Sequence, residues 1–181
     1  MAVKNTPQKA WSEPLAYESS NLFEIGCDPF EIALLPMIRA LAHSCLDPKA
    51  PNWLSVYARA EQQFGSRTGL PLVNGLAQIT VSLLRIKADD LQILPSSESI
   101  ESEKVLPDER LILLMIHHMR RNHFIAGYDF LMELLLGEVD DELLEQAHSF
   151  ANRHSCGEQQ PRSHKGIIGK RLRLVPTVNK N

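Results

Sequence analysis

Cysteine is scarce in this 181-residue chain: Cys27, Cys45 and Cys156 are odd in number and far apart. A small domain held together by disulfides carries more cysteines, usually in even number, so this usage points to a reducing compartment. An apolar leader is also missing. Lys4 and Lys9 precede a polar stretch, which is not the pattern of a secretory signal. Unbroken apolar runs reach only six residues, as in Leu111 to Ile116, far short of the roughly 20 a membrane-spanning helix needs. A cytoplasmic location and no membrane partner are the expectation.

Catalytic and cofactor signatures are absent as well. The chain has no GxSxG, no Walker-type loop and no GxGxxG, so nothing announces a serine hydrolase, a nucleotide-phosphate cradle or a dinucleotide fold. CxxC, HxxxH and HExxH spacings do not occur. His117 and His118 are adjacent and would point about 100° apart on a helix, so they share a metal poorly. His-Ser-Cys occurs twice, at His43 to Cys45 and at His154 to Cys156. Cys45 falls on an apolar stripe, as an inert small hydrophobe would. Cys156 has Arg153 and His154 nearby, surroundings that favour a reactive thiol. Even so, a thiol in a tail lacks the fixed base and oxyanion donors that catalysis requires. The expectation is a protein that is not an enzyme, with no cofactor, no metal and no small-molecule ligand.

The chain does hold enough apolar residues to fold: 44% are hydrophobic and 23% charged, with net charge −3. Charge is distributed unevenly. Residues 155–181 carry Arg162, Lys165, Lys170, Arg171, Arg173 and Lys180 against Glu158 alone, so the rest of the chain is acidic.

Helical periodicity fills the middle. Residues 1–27 contain Pro7 and Pro14, show no sustained period, and read as a flexible arm in which Trp11, Leu15 and Phe23 are the docking candidates. Asp28-Pro29-Phe30-Glu31 is a helix start: a capping carboxylate, proline where no N–H is needed, and a glutamate that reaches back. Phe30, Leu34, Met37, Ile38, Leu41 and Cys45 follow on one arc, with Pro36 opposite them predicting a kink or a restart. A second helix carries Trp53, Val56, Tyr57, Ala60 and Phe64 as its stripe and stops at Gly65. The third opens at Pro71 with Leu72, Leu76, Ile79, Leu83 and Ile86 inward. Residues 88–108, rich in serine and acids, read as a long loop between two three-helix halves. Past Pro107 a fourth helix is apolar almost all round, and such a helix is usually central. Arg110, His117 and Arg121 line its one polar edge, a candidate exposed interaction edge. A tight turn at Asn122-His123 leads to a fifth helix with Phe124, Tyr128, Leu131, Met132 and Leu135 inward, closed by Gly137. A sixth runs from Asp140 to about His154, its acids at the positive end of the helix dipole. The short joints predict two αα-hairpins sharing the fifth helix.

The fold class expected is therefore all-α: about six helices over residues 28–154, in an irregular orthogonal bundle or stacked αα-hairpins, with a flexible N-terminal arm and a basic C-terminal tail at 155–181. For function, DNA readout by the sixth helix is opposed by Asp140, Asp141, Glu142 and Glu145. Nucleic-acid contact would fall to the tail through Lys165, Lys170, Arg171 and Arg173, which are equally suited to an acidic protein. A metal or redox sensor is a further alternative. The leading expectation is a small interaction or regulatory module that binds a protein partner or itself, partly because the fourth helix carries more apolar surface than one three-helix half can cover. Serines 96, 97, 99 and 102 are candidate phosphate acceptors on that acidic body.

Overall fold

A computed structural model describes residue 22 and residues 26–47, 52–95, 104–138 and 140–156. Among these the secondary structure is six α-helices and one 3-10 turn, with no strand. They are α1 (Pro29–Leu46), α2 (Asn52–Phe64), α3 (Ser66–Lys87), the 3-10 turn Ala88–Asp90, α4 (Pro107–Arg120), α5 (Phe124–Leu134) and α6 (Asp141–Arg153).

The start of α1 follows the local chemistry. Asp28 accepts from the Glu31 N–H at 2.9 Å, and Glu31 accepts in return from the Asp28 N–H at 2.9 Å. The helix then runs unbroken through Pro36, so no restart occurs there. The third helix starts earlier than Pro71 predicts. Gly65 adopts φ +73°, and its carbonyl accepts from Thr68 and Gly69, which winds the chain back into a helix at Ser66. Pro71 lies inside α3, one turn from its exposed start.

Two hairpins, α2/α3 and α4/α5, are joined by the remaining helices. α1 packs on α2, α3 and α4, while α6 packs on α3 and α4. The expected hairpin of α5 with α6 is not made, and α5 rests on α4 instead. α5 and α6 touch where the Phe124 and His148 rings meet, their centroids 4.7 Å apart. The expected α4/α5 pairing is made and is close: a Cβ on Gly127 would lie 2.6 Å from Met119 Cγ. Leu131, Leu134 and Leu135 are buried, whereas Phe124 is exposed and Tyr128 and Met132 are half-buried.

All six helices feed one core. Met37, Val56, Leu76, Met115, Leu131 and Phe150 belong to a single cluster, so the two halves are not separate packets. α4 is central, with every residue from Leu111 to Ile116 buried. α1, α5 and α6 together cover it, so its apolar surface gives no reason to invoke another chain. α1 and α3 are each long and apolar enough to cross a membrane by length and composition, and here their apolar stripes face other helices.

The body is slightly longer than residues 28–154. Cys27 is buried and donates its N–H to Leu22 O, and the Cys156 N–H donates to Arg120 O at 3.0 Å. Among the described residues, 88–95 are not a loose linker: Leu91 and Ile93 pack against the core. The other residues assigned to the arm (1–21 and 23–25), loop residues 96–103 with their serines, and tail residues 157–181 lie outside the described residues.

Candidate functional site

The N-terminus of α1 meets the C-terminus of α4, and charge collects at the joint. Glu31 is 0% exposed. Its Oε1 accepts from Arg120 and Arg121, and its Oε2 from the Asp28 N–H and from His117 Nδ1 at 2.8 Å. Asp28 takes a second share of both guanidiniums at 3.0 Å. Helix dipoles favour this placement, since carboxylates lie at an N-terminus and guanidiniums at a C-terminus. Arg120 reaches further: its Nε donates to His154 O at 2.7 Å, and its guanidinium lies 4.0 Å from the Phe30 ring centroid. One buried side chain thus ties the ends of α1, α4 and α6.

This geometry revises the expected edge of Arg110, His117 and Arg121. Arg110 is exposed, but His117 and Arg121 are turned onto Glu31 and mostly covered, because the start of α1 lies over the last turns of α4. The edge is half a surface and half an internal joint. Glu31 was expected only as the cap of α1, which it is, and not as the centre of a buried ion cluster; Arg120 was not singled out from the sequence.

Cys27, Glu31 and His117 present their ligand atoms within 4.8 Å of one another, a set with metal-binding or nucleophilic potential. The surroundings oppose both uses. Both Glu31 oxygens are already engaged by two donors each, and two guanidiniums beside them repel a cation. Burial, reinforced by the carboxylates of Glu31 and Asp28, pushes the Cys27 thiol up to about 12. A thiol held protonated is neither a good ligand nor a good nucleophile. The cluster is built to hold helices together. Burial would raise Asp28, but the Glu31 N–H, then Arg120 and Arg121, hold it below its ordinary range.

A second buried group braces the other end of α4. Arg39, 5% exposed, makes a two-point pair with Glu109 at 2.7 and 2.8 Å and donates to Lys104 O at 2.7 Å. Glu109 also accepts from the Leu94 and Leu106 N–H groups, at 3.0 and 2.9 Å. Beside it, Asp108 accepts from Lys87 Nζ at 2.8 Å and the Gln92 N–H at 2.9 Å. These carboxylates fasten the segments flanking residues 96–103.

The other candidates divide by position. Cys45, expected on the apolar stripe, is exposed near the end of α1, and Cys156 is exposed as well. His154 is half-buried between Phe30 and Phe150; burial, then Arg153 and Arg120, push it down to about 4. Burial, with His117 and His123 beside it, likewise lowers His118, which stacks on Phe130. Lys165, Lys170, Arg171 and Arg173 lie outside the described residues.

Exposed large apolar side chains occur on α1, α2 and α3 (Leu46, Trp53, Leu54, Leu70 and Val81), but the two most exposed are at α5. The outward side of α5 and its C-terminal turn presents Ile125, 83% exposed, and Leu136, 88% exposed, with Tyr128 and Met132 half-buried and Asp129 and Glu133 exposed. Residues 124–138 hold three acids and no Lys, Arg or His. Leu136 also adopts φ +55°, as the left-handed residue of a turn closed by Leu136 N–H to Glu133 O and Gly137 N–H to Met132 O. Glycine suits that position at no steric cost, whereas leucine is strained by about 1 kcal/mol. The chain thus spends backbone strain to hold a leucine in water. Ile125 and Leu136 sit among apolar neighbours in the sequence, so nothing local marks them as exposed.

The chain matches no protein-family model, no curated protein and no solved structure.

Proposed function

We propose that this chain is a non-catalytic helical interaction module, acting in a reducing, cytoplasmic setting, whose docking surface is the outward side of α5. The observation that carries the reading is the pair Ile125 and Leu136, both almost wholly exposed on that side, one of them in a strained backbone. Apolar side chains flanked by carboxylates, with no cation among residues 124–138, select a partner segment of basic and apolar composition. Apolar contact supplies the affinity, and charge supplies orientation and on-rate.

Isothermal titration with a short peptide of alternating Lys and Leu, at low salt, tests this. Binding is expected, weakened at least about tenfold in the double variant Ile125→Ser/Leu136→Ser; a tenfold loss corresponds to about 1.4 kcal/mol, which removing two partly buried aliphatic side chains readily accounts for. Equal affinity for the double variant, or equal binding of a Glu/Leu peptide, refutes it.

A further inference from the structure

The partner chemistry argued above is present in the chain itself. Residues 165–175 read Lys-Gly-Ile-Ile-Gly-Lys-Arg-Leu-Arg-Leu-Val, with four bases, five apolar residues and no acid. We propose that this segment docks on the outward side of α5 in the same molecule, an inference that rests on α5 being a docking surface.

Three observations support the assignment. First, the exit point is favourable. The Cys156 N–H is bonded to Arg120 O, the last residue of α4, and α5 begins at Phe124, so the tail leaves the body beside the start of the helix it is to cover. Second, the reach is sufficient. The nine residues from Cys156 to Lys165 span up to about 30 Å when extended, while the 11-residue α5 is only about 17 Å long. Third, the charges match. Asp129, Glu133 and Glu138 line α5 and its turn, opposite Lys165, Lys170, Arg171 and Arg173. The other terminal segment is a poorer occupant, since residues 1–27 carry two lysines against three glutamates.

Tethering makes even a weak contact effective. A short linker gives an effective concentration on the order of millimolar, so an interaction that would be negligible between separate molecules is substantially populated within one. The docked tail therefore competes with any outside partner of the same chemistry, and a modification that removes its positive charge opens the face.

Zero-length carbodiimide coupling of the full-length protein, followed by peptide mapping, tests the proposal. It joins lysine amines to carboxylates in direct contact. The expected result is coupling of Lys165 or Lys170 to Asp129 or Glu133 within the monomer band, reduced at 0.5 M salt on electrostatic grounds and lost in Ile125→Ser/Leu136→Ser. In parallel, reversing Lys165, Lys170, Arg171 and Arg173 to Glu is expected to tighten binding of the Lys/Leu peptide about fivefold or more, because the competitor is gone. If the peptide binds at α5 but neither the coupling nor the tightening is seen, the tail is not the occupant and the docking surface stands. If the peptide does not bind at α5 even in the charge-reversed variant, where no tail competes, the surface and the tail assignment fall together. Coupling confined to a dimer band overturns the proposal in favour of a second copy.

Discussion

Removing both partners of the Arg39–Glu109 pair should cost about as much as removing one of them alone. Arg39 is 5% exposed and Glu109 0%, so Glu109→Leu strands a guanidinium away from water and orphans the Leu94 and Leu106 N–H groups. A broken buried pair costs about 3–5 kcal/mol, much of it from the charge left behind. Glu109→Leu is placed near 4 kcal/mol by that range. Arg39→Met is milder, about 3 kcal/mol, since two backbone donors still serve the carboxylate. In Arg39→Met/Glu109→Leu no charge is stranded, and only the backbone donors and Lys104 O lose partners. The double variant should therefore lie within about 1 kcal/mol of the worse single one, a coupling of roughly 2–4 kcal/mol. Urea titrations followed by circular dichroism at 222 nm measure this without adding salt. At about 2–4 °C per kcal/mol for a chain of this size, Glu109→Leu lowers Tm by roughly 8–16 °C. Additive losses, or single variants each costing under about 1 kcal/mol, would refute the claim that the pair is buried and mutually dependent.

Leu136→Gly relieves a left-handed leucine whose side chain packs on little within this chain, so it should raise stability by about 1 kcal/mol while weakening the Lys/Leu peptide; a loss of stability in thermal melts overturns the strain assignment. Iodoacetamide should alkylate Cys45 and Cys156 promptly, and Cys27, buried and pushed up to about 12, only in step with unfolding; three equally fast thiols would contradict that burial. Acid should destabilise the fold in two stages. His154 lies at about 4 when folded, below its ordinary 6.5, and His118 is lowered too, so the unfolded chain takes up protons first and stability present above pH 6.5 is lost as pH falls toward 4. Partial exposure of His154 discounts its share to about 1–2 kcal/mol. Below that, protonating Asp28, which the fold holds under its ordinary range, removes more. Tm measured from pH 8 to 3 checks the sign, and His154→Phe should flatten the upper stage.

The helices were legible because apolar residues recur with helical spacing and because the caps are local. Asp28 and Glu31 are three residues apart, and Asn122 closes α4 at φ +60° where asparagine is next best to glycine. The buried charges were not legible. Glu109 lies 70 residues from Arg39, and Glu31 lies 89 from Arg120, and a charged residue is assumed solvated unless a partner is known. A signal existed nonetheless: Glu31, Leu35 and Arg39 recur every four residues along α1, so both charges border a buried leucine. The facing of α5 was legible in part: Leu131 and Leu135 turn inward and Asp129 and Glu133 outward as their spacing implies, whereas Phe124 is exposed. The close approach of Met119 to Gly127 carries no mark in the sequence around α5.

The two ion clusters also bear on why α5 carries the two most exposed apolar side chains. Arg120, Arg39 and Lys87 tie α1, α3, α4 and the end of α6 to one another through buried, geometrically demanding contacts. Such contacts fix the register of the helices more than they stabilise them, because desolvation consumes most of the attraction. Among the described residues, no ion pair reaches α5. It is held by Leu131, Leu134 and the close approach at Gly127, which leaves its outward residues outside every buried polar network. Substituting Ile125 or Leu136 therefore tests docking with little risk to the fold. Substituting Glu31 or Arg120 would disturb the framework first and could not be read as a binding effect.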